Sequence, residues 1–148
     1  MGRACRWLRV FAVLWAAGLL SALLAGCGGA HKAHTPAGSI VPVAEGDFHI
    51  GVPTSLKAGE YTFRVHNEGP TRHEFIVVRT TGSALPLRPD GLTVDEEAIE
   101  HLEAGLLEPG APGAVRDLTV NLKPGRYVFF CNMEGHYMAG MHAELVVA

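Results

Sequence analysis

Three side chains that bind soft transition metals lie close together near the C-terminus, in the stretch FFCNMEGHYMAGMH at residues 129–142. Cys131, His136 and Met141 follow one another with four residues in each interval. Thiolate and imidazole are strong copper ligands, and a thioether is soft enough to favour Cu(I). Sites that pass single electrons combine two histidines and a cysteine with a long axial methionine bond. The stretch therefore predicts three of four ligands for a copper ion.

The second histidine of such a site must come from another part of the chain. His73 is the best candidate, because it opens the β-rich stretch HEFIVV directly after the turn NEGPTR. The other histidines have weaker positions. His49 lies within a predicted strand, and the alternation of its strand places the side chain of His66 on the solvent face. His101 falls on an acidic helix, and His142 directly follows the methionine and should face away from it.

The first 26 residues predict an export signal. MGRACRWLRV carries three arginines and no acid, and the apolar run FAVLWAAGLLSALLAG is shorter than the roughly 20 residues of a membrane-spanning helix. The run ends in LAGC, which resembles the lipobox of bacterial lipoproteins. That resemblance implies that Cys27 carries a lipid and becomes the first mature residue. We therefore expect an exported protein held by its lipid on the extracytoplasmic face of a membrane, in the periplasm or at the cell surface.

Processing at this point leaves one free thiol in the mature protein. Cys5 is removed with the signal and Cys27 is blocked by lipid, so Cys131 has no partner for an intrachain disulfide. A free thiol in an oxidising compartment is expected to be buried, bound to a metal or catalytic. A nucleophilic cysteine needs an oriented base and a third group. No third group is evident, so no catalytic residue is predicted.

The composition indicates one globular domain after the signal. The chain has 148 residues, of which 48% are hydrophobic, and a net charge of −3 without a basic cluster beyond the N-terminus, which argues against nucleic acid. Residues 27–45 are rich in Gly, Ala and Pro and contain His31 and His34, and they predict a lipidated flexible linker. Residues 46–148 are then the folded domain.

Short apolar-polar alternations within this domain predict strands of a β-sandwich or barrel. The predicted strands are Asp47 to Val52, Gly59 to Asn67, His73 to Arg79, Ala114 to Leu122, Gly125 to Cys131 and Met141 to Val147. A capping-box pattern, Thr93-Val94-Asp95-Glu96, precedes apolar residues at helical spacing from Glu97 to Leu107. We therefore expect an all-β domain with one short inserted helix.

The combined pattern resembles the cupredoxins, the small blue-copper proteins. Asn67-x-Gly69 precedes His73, Cys131-x4-His136-x4-Met141 follows, and the likeness runs from about Asp47 to Val147. The resemblance implies an eight-stranded Greek-key sandwich with one type 1 copper held by His73, Cys131, His136 and Met141. Many cupredoxins have Asn or Ser after the first histidine to tie the ligand loops together, whereas this chain has Glu74.

The resemblance also implies an electron carrier rather than an enzyme. Such a protein passes single electrons between transient protein partners, with the edge of His136 as the exposed portal. Met133, Tyr137 and Met138 are then expected to form an apolar docking patch around that edge. The alternative is an exported copper carrier or storage protein, because the same soft ligands would serve it and the methionines and His142 lie close together.

Overall fold

The computed structural model describes residues 38–82 and 84–148. The predicted signal, the lipidation site Cys27 and the linker histidines His31 and His34 lie outside the described residues. Within the described part of the chain, no helix is long and apolar enough to cross a bilayer.

The described residues form nine strands in two packed sheets, together with one short helix. The strands are β1 (Ser39–Gly46), β2 (His49–Gly51), β3 (Ser55–Leu56), β4 (Gly59–Asn67), β5 (His73–Thr80), β6 (Glu103–Gly110), β7 (Val115–Leu122), β8 (Gly125–Phe130) and β9 (His142–Val147). One sheet has the order β2-β1-β4-β7, and the other has the order β3-β9-β8-β5-β6. Most connections between consecutive strands cross from one sheet to the other. The all-β sandwich predicted from the sequence is confirmed, with nine strands rather than the eight that the resemblance implied.

The main core lies between the two sheets, as the alternation in β4 predicts. Phe63 and Val65 are buried on its inner face, while Arg64 and His66 are exposed on its outer face. The inner face of the opposite sheet supplies Phe75 and Phe129, whose rings stack at a centroid distance of 5.4 Å. Burial of these large rings is a substantial part of the apolar driving force for folding.

A second core covers the outer face of the five-stranded sheet. The long connection between β5 and β6 packs its apolar side chains over this face. The residues buried there are Ile76, Val78, Leu85, Val94, Ile99, Val128 and Phe130. Burial on both faces explains why β5 reads as a nearly continuous apolar run rather than an alternating one.

The helical prediction was wrong in its second half. The α-helix α1 covers only Glu96–Ile99, begins after the N-cap Asp95 and continues as a 3-10 turn at Glu100–Leu102. From Glu103 onward the chain forms β6, which pairs antiparallel with β5 along the sheet edge. Pairing with a buried strand overrides the helical spacing of the leucines, because strand stability depends strongly on tertiary context.

The predicted linker also extended too far into the domain. Residues 39–45 belong to β1, which pairs parallel with β4 and antiparallel with β2. Val41 and Val43 are buried on the inner side of β1, and Pro42 between them is exposed. The linker prediction is therefore wrong for these residues, because an alternating core strand follows directly after the Gly-rich and Ala-rich stretch.

The strand directions define two ends of the sandwich. β4 runs toward Asn67 and β5 starts at His73, so both of these residues lie at one end, which we call the ligand end. The start of β1, the start of β4 and the start of β8 lie at the opposite end, which we call the far end.

Candidate metal centre

Three of the predicted ligands meet at the ligand end. His73 is the first residue of β5, Cys131 directly follows β8, and His136 lies in the loop between β8 and β9. The candidate ligand atoms of these three side chains all lie within 4.8 Å of one another. Met141 ends the same loop and is completely buried in the core cluster that contains Cys131. The fold thus brings a histidine at the start of β5 to a cysteine, a histidine and a methionine in the loop between β8 and β9.

Backbone hydrogen bonds hold the β8–β9 loop in a closed form. The N–H of Cys131 donates to the carbonyl of Met141 at 3.1 Å, and the N–H of Met141 donates to the carbonyl of His136 at 3.0 Å. Gly135 and Gly140 have φ angles of 78° and 104°, a region that glycine adopts without steric strain. The three side chains of the loop are therefore positioned by the backbone itself.

The sulfur of Cys131 is buried and accepts several polar contacts. Its Sγ lies 3.5 Å from Nδ1 of His136 and accepts the backbone N–H of Glu74 at 3.3 Å. The N–H of Met133 also donates to it. Burial raises the pKa of the thiol above its ordinary value, so the metal-free protein keeps it protonated at neutral pH. A thiol in this state is a poor nucleophile, and a metal must displace its proton to bind.

His73 is completely buried, and burial lowers the pKa of its imidazole. Its Nε2 lies 2.8 Å from Oδ1 of Asp47, and a methyl group on Gly69 would approach that nitrogen to 2.7 Å. Nδ1 makes no hydrogen bond with any described residue. A buried nitrogen without a partner is costly, and a neutral imidazole with one free nitrogen is the form that ligates metals. His73 therefore fits a metal ligand that binds through Nδ1.

The complete donor set fits copper better than zinc. Structural zinc sites are usually built from several cysteines, and Cys131 is the one free cysteine within the described residues. Two imidazoles, one thiolate and one thioether form the combination that type 1 copper takes. The residues present thus satisfy the chemical requirements of a type 1 copper ion.

Glu74 supplies the contact between ligand loops that the sequence left unassigned. Its backbone N–H binds the sulfur of Cys131, and its carboxyl group accepts the backbone N–H of Asn132. Burial, aided by repulsion from Glu96, raises the pKa of this carboxyl to about 7. Asn67 has a different task, because its side chain binds Thr71 and Gly69 within the turn before His73. The first histidine and the cysteine are therefore tied together through residue 74, although it is neither Asn nor Ser.

The other histidines among the described residues lie on the protein surface. The exposed histidines are His49, His66, His101 and His142. His66 lies 3.3 Å from the carboxylate of Glu68, and the ring of His142 packs beside Tyr137 at 4.9 Å. These positions agree with the reasons for which the sequence favoured His73.

The apolar surface beside His136 differs from the one expected. Met138 is exposed, but Met133 packs against the main core and Tyr137 packs against Phe130 in the second core. Phe48, which the sequence did not indicate, is 45% exposed and meets the ring of His136 edge-on at 5.1 Å.

A third exposed apolar residue, in the long connection between β5 and β6, is joined to the loop through its backbone. Leu92 is exposed, and its carbonyl accepts the N–H of Gly135 at 3.0 Å. We call Phe48, Leu92 and Met138 the apolar rim.

Comparison with known proteins supports the architecture. No protein-family model matches the chain, and no curated protein matches it. Among solved structures, auracyanin B is 23% identical over 77% of this chain and 91% of its own, with a TM-score of 0.57. Auracyanin A from Chloroflexus aurantiacus, a "blue" copper protein, is 22% identical over 74% and 98%, with a TM-score of 0.56.

Rusticyanin from Thiobacillus ferrooxidans is a further solved structure of similar form. It is 17% identical over 75% of this chain and 79% of its own, with a TM-score of 0.51. Auracyanin and rusticyanin are cupredoxins. The two-sheet architecture, the His–Cys–His–Met site at one end and these likenesses together show that the described residues adopt the cupredoxin fold.

Proposed function

We propose that this protein is a lipid-anchored, exported electron carrier with one type 1 copper ion bound by His73, Cys131, His136 and Met141. The observation that carries the proposal is the approach of the ligand atoms of two histidines and a cysteine to within 4.8 Å of one another. Bound copper would supply a one-electron couple between Cu(II) and Cu(I). The chain's part is to hold the donors in one arrangement, which reduces the rearrangement that accompanies electron transfer.

The burial of the site supports electron transfer over copper carriage. Cys131, His73 and Met141 are completely buried, and a backbone hydrogen bond ties Cys131 to Met141. Such a site is expected to release its ion slowly, whereas a carrier must exchange it with a partner. His136 is only partly buried and stands within the apolar rim, so its edge offers the shortest route to the surface.

The apolar rim suits short-lived contacts with protein redox partners. Weak electron-transfer complexes have small interfaces, and Phe48, Leu92 and Met138 present exposed apolar surface beside His136. The LAGC sequence supports attachment to a membrane through lipid on Cys27. Mass spectrometry of the membrane fraction should find a diacylglycerol-modified Cys27, and an unmodified N-terminus would reject the anchor.

Addition of Cu(II) to the purified protein tests the central proposal. An intense visible band from thiolate-to-copper charge transfer is expected, and Cys131→Ser should abolish it while the variant remains folded. A colourless protein with only weak absorption would reject the site. A chelator then separates the two functions, because slow copper release with reversible voltammetry indicates electron transfer and rapid release indicates a carrier.

A further inference from the structure

We propose that Asp47 is a positioning residue for His73 that also lowers the reduction potential of the site. This inference rests on the proposed copper function. The sequence predicts a strand that begins at Asp47 and indicates no role for its carboxylate. The structure places it in the connection between β1 and β2, beside the buried nitrogen of a predicted ligand.

The carboxylate of Asp47 lies close to one nitrogen of the His73 ring. Oδ1 of Asp47 lies 2.8 Å from Nε2 of His73 and accepts the hydroxyl of Thr71 at 2.8 Å. The oxygen lies away from the N–H direction, so the contact does not have full hydrogen-bond geometry, and Nε2 makes no other hydrogen bond with a described residue.

Gly69 leaves the space in which this contact forms. A Cβ atom at Gly69 would lie 2.7 Å from Nε2 of His73 and 3.1 Å from Oδ1 of Asp47. The hydroxyl of Thr71 donates to the same oxygen and helps to hold it in place. The turn between β4 and β5 thus supports both members of the pair.

The chemistry of imidazole makes the contact functional. A neutral ring that binds metal through Nδ1 carries its proton on Nε2, and a partner that accepts this proton fixes both the tautomer and the ring orientation. A carboxylate partner also makes the ring a stronger electron donor. The negative charge of Asp47 therefore favours Cu(II) more than Cu(I), which lowers the reduction potential.

Two variants and one control test the inference by voltammetry and copper titration. Asp47→Asn removes the charge and keeps an acceptor oxygen, whereas Asp47→Ala removes both. Glu144→Gln is the matched control, because it removes an exposed carboxylate on β9 that pairs with Arg126. All three proteins are first checked for the visible band.

Asp47→Ala is expected to lose about 10- to 100-fold in Cu(II) affinity. Both Asp47 variants should lose more affinity for Cu(II) than for Cu(I), and each tenfold difference raises the potential by about 59 mV. Glu144→Gln should leave the potential unchanged. If Asp47 had a purely structural role, the variants would lose equal affinity for Cu(I) and Cu(II). An unchanged potential in a blue Asp47→Asn protein therefore overturns this inference but leaves the proposed function intact.

A measurement on the unmodified protein covers the case in which the Asp47 variants do not fold. In the Cu(I) form, NMR should detect a downfield Nε2–H resonance of His73, as expected for a proton held by a carboxylate. A resonance at the position of a free imidazole N–H overturns the inference. A wild-type protein that gives no visible band with Cu(II) overturns the proposed function and this inference together.

Discussion

The backbone N–H of Glu74 donates to the sulfur of Cys131 at 3.3 Å, although the two residues are 57 positions apart. This bond joins the residue after one predicted ligand to another predicted ligand. Because it comes from the backbone, it does not depend on the side chain at position 74. The side chain adds a second tie, since its carboxyl group accepts the N–H of Asn132.

Substitutions of the Glu74 side chain should therefore affect the contact with Asn132 and leave the backbone bond to Cys131 in place. Glu74→Gln and Glu74→Ala both retain the backbone bond, so both should develop the visible copper band. Only Gln retains an acceptor for Asn132, and Ala should be less stable than Gln by about 0.5–1.5 kcal/mol. Urea unfolding of the two metal-free variants measures this difference. Equal stabilities would show that the Asn132 contact contributes nothing.

Replacement of Met141 by Leu should change the potential more than the fold. Leu occupies nearly the same volume in the buried site, so the stability should change by less than about 1.5 kcal/mol. The weak thioether donor is lost, and a weaker axial donor disfavours Cu(II). We expect a blue protein with a raised reduction potential in voltammetry. An unchanged potential would argue that Met141 is not the axial ligand.

Gly69 should tolerate no side chain, whereas its neighbour in space, Gly46, should. Gly69→Ala places a methyl group against Nε2 of His73 and should reduce copper affinity at least tenfold, because such ligand contacts typically contribute that much. A Cβ atom at Gly46 meets nothing within 4 Å, so Gly46→Ala serves as the control. Copper titrations of both variants give the comparison. Equal affinities would mean that His73 shifts to accommodate the methyl group without a loss of copper affinity.

The pH dependence of stability should reveal the buried carboxyl group of Glu45. Burial raises its pKa from 4.5 to about 7, although Arg116 lies 2.6 Å from Oε2 and opposes the shift. The native state then binds this proton more tightly than the unfolded state does. Its contribution to stability is present below pH 4.5 and is lost as the pH rises to about 7, by at most about 3 kcal/mol.

Glu45→Gln isolates this contribution, because the amide does not titrate and still offers an oxygen to Arg116. Urea unfolding of the metal-free protein between pH 4.5 and 7.5 should show a flatter curve for the variant than for the wild type. Glu74 also titrates in both proteins and its charge acts on Glu45, so the comparison is repeated with Glu74→Gln in both proteins. Parallel curves would show that Glu45 keeps an ordinary pKa.

The apolar rim should control how quickly the protein exchanges electrons. Met138 is 56% exposed beside His136, and Met138→Lys places like charges against one another when two molecules meet at this surface. We expect slower self-exchange between the Cu(I) and Cu(II) forms, with an unchanged visible band. Val146 is 46% exposed on β9, near the far end, and Val146→Lys is the matched control. Equal slowing by both variants would assign the effect to net charge.

The sequence predicted those parts of the fold and site that depend on local patterns. The alternation of Phe63 and Val65 with Arg64 and His66 identified β4 with its exact bounds in the structure. The spacing of Cys131, His136 and Met141 was informative because a single closed loop holds all three residues.

The errors arose where distant pairing decides the outcome. The first part of β6 was predicted as helix because its leucines have helical spacing, but the segment pairs with β5 and forms an edge strand. β1 directly follows a Gly-rich and Ala-rich stretch typical of linkers, and its position is fixed by pairing with β4. The contacts of Asp47 with His73 and of Glu74 with Cys131 join residues that lie far apart in the chain, so no local pattern could predict them.

The entry of the chain into the sandwich has a practical consequence. β1 begins with Ser39 opposite Tyr61 and ends near Asn67, so the chain enters at the far end and runs toward the ligand end. Ser39 is exposed, so a protein immobilised through this residue would present His136 and the apolar rim to the solution. Coupling at that position to an electrode or bead would leave the redox surface open to a soluble partner.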